Sequence, residues 1–221
     1  MGVANVIIAH IKRIKIKLNL KSYEKILEYL EKDKTLFSAI QKIDQDIKPE
    51  FDIDVYLSLL SSIVSQQLST KVVKIIWRRF TDLFVNGYPK PENLLTTDHG
   101  ILRGIGLSNN KAGYVKNVAE FSLQNDMSFE FLQQKEDNEI INYLTKIKGV
   151  GKWTVQMILM FPMDRPNVFP ADDLGIQNGM KKLYNLDLEK KELKQKLNEI
   201  AEEWHPYKTL ASKYIWKMAD E

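Results

Sequence analysis

The chain has 221 residues, 44% of them hydrophobic, so it is long enough and apolar enough to bury a core. It contains no cysteine, which excludes disulfide bonds, thiolate metal sites, iron–sulfur clusters and cysteine nucleophiles. The formal net charge is +3, and residues 1–21 carry the basic side chains of Lys12, Arg13, Lys15, Lys17 and Lys21 without any acidic one. Outside this segment, an argument for nucleic-acid binding has to rest on local patches.

The absence of a membrane-spanning run and the composition of the N-terminal part predict where the protein acts and how it is organised. No apolar run approaches the roughly 18 residues of a membrane-spanning helix, and the pattern of a secretion signal is missing, so we expect a cytoplasmic protein without membrane association. Residues 11–20 alternate apolar and basic side chains, which is typical of a strand or a mobile basic arm. We predict a basic N-terminal arm over residues 1–21, either a poorly packed tail or an arm that contacts phosphates. One domain follows over residues 22–221.

After the arm, apolar side chains recur with the helical period of 3.6 residues. The predicted helices cover residues 23–30, 36–47, 56–64, 70–84, 112–121, 140–147, 150–161, 174–184, 189–204 and 207–218. Pro162, Pro166 and Pro170 stiffen the linker before the last three helices. Neither alternating strands nor a βαβ pattern is evident, so we predict an all-α fold with two helical lobes and a cleft.

The first candidate motif is a helical hairpin at residues 140–161, in which Gly-Val-Gly at 149–151 joins two apolar stripes. Glycine allows the backbone to bend tightly and to approach another surface closely. The turn lies at the N-terminus of the second helix, which favours an anion, and Lys146, Lys148 and Lys152 surround it without an acidic residue. Such a turn can bind one phosphate through backbone N–H groups, although an ordinary helix–helix connection has the same composition.

The second candidate is the pair Asp172 and Asp173, which follows the proline linker. Asp173 directly precedes the predicted helix 174–184, so its side chain is expected to cap that helix. A carboxylate fixed in this way can also stabilise a developing oxocarbenium ion if it lies in a cleft. The capping and catalytic interpretations are therefore compatible.

Two tryptophans are candidates for binding a planar ligand. Trp153 lies at the edge of the second hairpin helix, and Trp216 falls about 100° from Ile215, off the apolar stripe of the last helix. A tryptophan in such a position belongs either to the rim of a core or to the wall of a cleft. Two indole rings facing a cleft could enclose a planar ligand, above all a cationic one.

Four segments, at residues 62–71, 102–111, 144–177 and 201–216, together resemble a known family. The most specific parts are IKGVGKWT at residues 147–154 and VFPADDLG at residues 168–175. The chain resembles the helix-hairpin-helix DNA glycosylase superfamily in its alkylated-base branch, the 3-methyladenine DNA glycosylase II type. The likeness covers residues 30–221 and implies the helix-hairpin-helix glycosylase fold, with the hairpin and the aspartate at the cleft.

The resemblance also implies roles for individual residues. Asp173 matches the catalytic aspartate because it stands directly before Leu-Gly. The base pocket would be lined by Trp153, Trp216 and Met157, of which Met157 replaces an aromatic residue of some relatives. Gln67, with Leu68, would fill the gap that a flipped base leaves. Phosphate contacts would come from Gly149, Gly151, Lys148 and Lys152. As in some relatives, a cation could bind at the main-chain carbonyls of Thr145, Ile147 and Val150.

The implied activity is that of a monofunctional DNA glycosylase, which hydrolyses the N-glycosidic bond of alkylated purines of the 3-methyladenine and 7-methylguanine type in base excision repair. Relatives that also cut the strand carry a nucleophilic lysine at the position of Trp153, so strand cleavage is not expected. The expected partner is double-stranded DNA containing damaged bases, bound by a monomer without a cofactor, in the cytoplasm or, in a eukaryote, the nucleus.

Two alternatives remain open at this point. The chain could excise other damaged purines, deaminated or oxidised, or it could be a non-catalytic helix-hairpin-helix DNA-binding protein. The presence together of Asp173, Trp153 and Trp216 argues against the second alternative, because phosphate binding requires none of them.

Overall fold

A computed structural model describes residues 24–43 and 54–219, and in this part of the chain every regular element is helical. This confirms the predicted all-α fold. The helices are α1 (residues 24–30), α2 (Lys34–Ile40), α3 (Val55–Ser65), α4 (Thr70–Thr81), α5 (Pro91–Thr96), α6 (His99–Gly104), α7 (Asn109–Gln124), α8 (Phe129–Leu132), α9 (Asp137–Leu144), α10 (Lys152–Met160), α11 (Leu174–Tyr184), α12 (Lys190–Glu202) and α13 (Lys208–Ala219). A 3₁₀ turn at Val85–Gly87 follows α4. The predicted basic arm, residues 1–21, lies outside the described residues.

The chain divides into two compact units, in agreement with the predicted two helical lobes. Of the described residues, 24–43 and 165–219 belong to the first unit and 54–164 to the second. The polypeptide therefore leaves the first unit after α2 and returns to it after α10. None of the helices among the described residues combines the length and the apolar character needed to cross a membrane.

The first unit packs α2, α11, α12 and α13 around one apolar core. The core consists of Leu30, Leu36, Ile40, Ile176, Met180, Leu193, Leu197, Ala201, Trp204, Leu210, Ala211, Tyr214 and Ile215. One polar group links its elements: the Asp33 carboxylate caps α2 at the Leu36 amide and accepts hydrogen bonds from the Tyr184 hydroxyl at 2.5 Å and Trp204 Nε1 at 2.9 Å. Burial raises the pKa of the Tyr184 phenol, so this side chain stays a neutral donor.

Helices α11 and α13 approach each other closely because α11 carries glycine at position 179. A Cβ atom at Gly179 would lie 2.7 Å from Ile215 Cγ2 and 3.1 Å from the Ile215 carbonyl oxygen. Any larger residue would therefore separate the two helices. This close packing fixes the position of the C-terminal helix relative to the first turn of α11.

The second unit is organised around α3, which contacts α4, α7 and α10. The predicted apolar stripe of α3 is buried as expected, at Tyr56, Leu59, Leu60, Ile63 and Val64. Asp54 caps the helix at the Leu57 amide, and Gln66 ends it. Helices α9 and α10 form the predicted hairpin and lie against this core.

Several helix bounds in the structure differ from the sequence-based ones. Helix α2 ends at Ile40, earlier than predicted, and residues 44–47 lie outside the described residues. Helix α4 ends at Thr81, and Phe84 joins the core from beyond it by packing edge-on against Phe80. Helices α5, α6 and α8 were not predicted, because four to six residues are too few to show a 3.6-residue period.

Candidate functional site

The candidate catalytic carboxylate is held by two directed hydrogen bonds. Asp173 is the N-cap of α11, and its Oδ1 accepts the Ile176 amide at 2.9 Å. The same oxygen accepts the indole Nε1–H of Trp216 at 2.6 Å. The backbone amide of Asp173 donates to the Pro170 carbonyl oxygen at 2.9 Å, which closes the turn before the helix. The half-buried carboxylate is thus fixed in orientation from two sides.

Asp172 occupies a different environment from its neighbour. It is exposed, and its carboxylate forms an ion pair with Lys194 of α12 at 2.5 Å. An exposed pair of this kind contributes about 0–1 kcal/mol to stability. Of the two adjacent carboxylates, only Asp173 caps α11 at its N-terminus, where the helix dipole favours a negative charge.

The structure brings Trp216 into direct contact with Asp173, which the sequence alone did not predict. The ring is half-buried, as its position off the stripe of α13 indicates, whereas Leu210, Ala211 and Ile215 are buried. The Nε1 edge of the indole ring therefore contacts the carboxylate of Asp173, the candidate catalytic residue.

The predicted hairpin at residues 140–161 has slightly different bounds. Its first helix, α9, already begins at Asp137, because Glu136 and Glu139 form a reciprocal capping box, and its second helix, α10, ends at Met160. The turn between them is anchored by Ile147 and Val150, which are 3% and 5% exposed. These two side chains fix the turn, while the backbone between and after them stays near the surface.

Gly149 and Gly151 are glycines for two different reasons. Gly149 has a φ of +103°, and a Cβ there would lie 2.2 Å from Cγ of Tyr114, so both conformation and space require glycine. Gly151 has ordinary extended angles, φ −94° and ψ 170°, and a Cβ there would meet no atom within 4 Å. Nothing within the described chain requires glycine at position 151, so the close approach of an external surface remains as a reason.

The surroundings of the turn suit an anion. Gly151 is the N-cap of α10 and has no side chain that could accept the first amides of the helix. Lys148 and Lys152 are exposed on either side of the two glycines, as is Lys146. Asn117 of α7 donates to the Lys148 carbonyl oxygen at 2.9 Å and thereby fixes the turn on the second unit. The site combines amide donors, a helix N-terminus and positive charge.

Trp153 and Met157 lie one turn apart on α10, and both are half-buried. Residues four positions apart share one face of a helix, so the indole and the thioether form a single surface. Thr154, Val155 and Ile158 on the other sides of the helix are buried. The assignment of the Trp153–Met157 surface to a base pocket stays a prediction.

Gln67, the predicted plug, directly follows the C-cap of α3 in a left-handed conformation with φ +57°, and its side chain is exposed. Leu68 is half-buried. The turn is supported by Lys111, whose ammonium donates to the carbonyl oxygens of Val64 at 2.9 Å and Gln66 at 2.6 Å. Burial lowers the pKa of Lys111. No local pattern in the sequence predicts this role of Lys111, because its partners lie more than forty positions earlier in the chain.

The predicted cation site at Thr145, Ile147 and Val150 offers neutral main-chain oxygens alone. The Ile147 carbonyl oxygen also accepts the Val150 amide at 3.0 Å within the turn. Among the described residues, no group of three or more histidine, aspartate or glutamate side chains is arranged to hold a metal ion. The donor set suits a weakly held cation rather than a transition metal, and the site stays a prediction.

The chain is similar in sequence to known DNA repair proteins. Residues 60–204 match the family model described as HhH-GPD superfamily base excision DNA repair protein. DNA-3-methyladenine glycosylase 1 of Schizosaccharomyces pombe is 37% identical over 164 residues, which cover 73% of this chain and 71% of that protein. A Bacillus subtilis relative is 35% identical over 190 residues, which cover 83% of this chain and 66% of the relative.

A solved structure is similar over most of its length. The 3-methyladenine DNA glycosylase of Schizosaccharomyces pombe, in complex with abasic DNA, superimposes with a TM-score of 0.77 at 32% identity. The match covers 87% of this chain and 95% of that one.

Proposed function

Because the chain belongs to the HhH-GPD superfamily of base excision DNA repair proteins, we propose that it is a monofunctional DNA glycosylase that releases alkylated purines from duplex DNA. The observation that carries the proposal is the fixed carboxylate of Asp173, with Oδ1 bound by the Ile176 amide and the Trp216 indole. The relatives named as 3-methyladenine glycosylases support the choice of alkylated bases.

The proposed chemistry is hydrolysis of the N-glycosidic bond. Alkylation at N3 or N7 places a positive charge on the purine, which makes the base a good leaving group without a strong general acid. As the bond to C1′ breaks, positive charge develops on the sugar, and the Asp173 carboxylate stabilises it and orients or deprotonates the attacking water. Electrons of the breaking bond stay with the base, and the oxygen of water forms the new bond to C1′.

Recognition of the base is proposed to rest on aromatic faces and on the cost of flipping. The rings of Trp153 and Trp216 would favour a cationic purine over a neutral one through cation–π attraction. Damaged pairs also unstack more easily than intact ones, which adds selectivity before the base is read. Met157 has a flexible and polarisable side chain in place of a rigid aromatic ring, so we expect tolerance of more than one alkylated purine.

DNA binding is proposed to use the hairpin turn and the plug. The amides after Gly151, with Lys148 and Lys152, would hold one phosphate without reading sequence. Gln67 would occupy the space that the flipped nucleotide leaves. An enzyme with this substrate acts where the genome is, in the cytoplasm of a prokaryote or the nucleus of a eukaryote.

The test is incubation of the protein with a panel of duplexes, each containing one lesion, followed by alkali cleavage at abasic sites. The panel contains 3-methyladenine, 7-methylguanine, a deaminated purine, an oxidised purine and an undamaged control. We expect alkali-dependent cleavage at the alkylated purines. Cleavage confined to deaminated or oxidised purines would show that these bases, and not alkylated purines, are the substrate. Tight duplex binding without any excision would favour a non-catalytic DNA-binding protein.

A further inference from the structure

Gly175 lies in the first turn of α11, two residues after the catalytic candidate, and its lack of a side chain has a specific consequence. A Cβ atom at this position would lie 2.9 Å from Cδ1 and 3.2 Å from Nε1 of Trp216, and 3.1 Å from Oδ1 of Asp173. Non-bonded carbon atoms do not approach to 2.9 Å without displacement of one of them. The space that glycine leaves is therefore filled by the edge of the indole that donates to Asp173.

The backbone gives no reason of its own for glycine here. Position 175 is helical, and helical angles suit alanine better than glycine by about 1 kcal/mol. Glycine at this position thus weakens the helix and at the same time admits the Trp216 ring. Gly179, one turn further along the same helix, lets α13 pack closely at Ile215, so the backbone next to Trp216 is held near α11.

We infer that Gly175 is a positioning residue for base excision: it admits the Trp216 indole to hydrogen-bonding distance of Asp173 Oδ1 and so sets the orientation of the carboxylate. This inference rests on the proposed function, in which Asp173 is the group that faces the developing positive charge. Gly175 itself contacts neither sugar nor base in this account and acts through the Asp173–Trp216 hydrogen bond.

The expected consequence of Gly175→Ala follows from the distances. The methyl group displaces the indole or the carboxylate, and the 2.6 Å hydrogen bond lengthens or breaks. Because misplacement of a catalytic group by about 1 Å can cost about 100-fold in rate, we expect the single-turnover excision rate to fall by roughly 10- to 100-fold. The affinity for undamaged duplex should change little, since the proposed phosphate contacts lie in the hairpin turn.

The experiment compares wild type, Gly175→Ala and the control Gly113→Ala. Gly113 is also a helical glycine, but a Cβ there would meet no atom within 4 Å, so this variant should keep the wild-type rate. Three quantities are measured: the single-turnover rate on a 7-methylguanine duplex, the affinity for undamaged duplex, and the ¹H–¹⁵N resonance of the Trp216 indole, assigned with Trp216→Phe. Gly175→Ala should move this resonance and slow excision, whereas Gly113→Ala should do neither.

A double-mutant cycle separates positioning from general damage to the fold. If Gly175 acts through the indole, Gly175→Ala should cause a clearly smaller loss in the Trp216→Ala background than in the wild type, because Trp216→Ala removes both the donor and the ring atoms that the methyl group would meet. This comparison also covers the case in which Gly175→Ala alone does not fold. A wild-type rate in Gly175→Ala, or additive losses in the double variant, would overturn the inference. Failure of the proposed function would instead show in the wild type, as absence of excision while the indole resonance still responds to Gly175→Ala.

Discussion

The two glycines of the hairpin turn should separate stability from DNA binding when each is replaced in turn. At Gly149, alanine would have to adopt a φ of +103° and would place its Cβ 2.2, 2.5 and 2.7 Å from three atoms of Tyr114. Backbone strain of this kind costs about 1–3 kcal/mol, and overpacking of a filled site about 1–3 kcal/mol more. We expect Gly149→Ala to lower the free energy of unfolding by about 2–6 kcal/mol, out of the roughly 5–15 kcal/mol typical of a domain.

Gly151→Asp should weaken DNA binding without lowering stability. The position is an N-cap with extended angles and open space around it, and aspartate caps a helix at least as well as glycine. The free energy of unfolding should therefore stay the same or rise by a few tenths of a kcal/mol. The new carboxylate, however, occupies the proposed phosphate site, so duplex affinity should fall about 10-fold and the salt dependence of binding should decrease by about one phosphate contact.

Urea unfolding and fluorescence anisotropy with damaged and undamaged duplexes, at several salt concentrations, measure both properties. Gly151→Asp should weaken binding to all duplexes about equally. Wild-type stability in Gly149→Ala would contradict the requirement for glycine at position 149. Wild-type affinity in Gly151→Asp, or a loss for a single lesion type only, would contradict a phosphate site at the turn.

Three further predictions use other parts of the structure. Lys111→Met should lower the free energy of unfolding by about 1–3 kcal/mol in urea titrations, because it removes the donor to two carbonyl oxygens beside Gln67; unchanged stability would contradict this role. Burial raises the pKa of Tyr56 and Tyr184 above the usual value of about 10. The free energy of unfolding should therefore be constant up to about pH 10 and fall above it, less steeply in Tyr56→Phe. A free energy of unfolding that stays constant to about pH 11 would contradict this prediction. Borohydride should trap no covalent protein–DNA adduct, since position 153 carries an indole; an adduct lost in Lys152→Ala would show that a lysine carries the chemistry.

Some of the site could be predicted because its signals are local in the sequence. The bounds of α11, the capping role of Asp173 and the position of Trp216 off the stripe of α13 follow from cap chemistry and the helical period, and the structure confirms all three. The catalytic role of Asp173 came from the family resemblance and stays a prediction. Periodicity alone indicates which face of a helix is buried, but not which side chain of another helix meets it.

The contacts that could not be predicted join residues far apart in the chain. Trp216 and Asp173 are 43 positions apart, and Lys111 and Gln66 are 45 positions apart. These contacts depend on how the helices pack against one another, and no periodic pattern in a single sequence indicates that packing. The same holds for glycines: Gly149 and Gly151 look alike in the sequence, and only the distance to Tyr114 shows that their reasons differ.

The single-turnover excision rate of Asp173→Asn on a duplex containing one 7-methylguanine, compared with that of Asp172→Asn, tests the central claim most directly. Asparagine keeps the size of Asp173 and removes its charge, so we expect a loss of about 100-fold or more with duplex affinity retained. Asp172→Asn removes an exposed ion pair with Lys194, worth about 0–1 kcal/mol, and should stay within about fivefold of the wild type. A wild-type rate in Asp173→Asn, or a larger loss in Asp172→Asn, would contradict the assignment of Asp173 as the catalytic carboxylate.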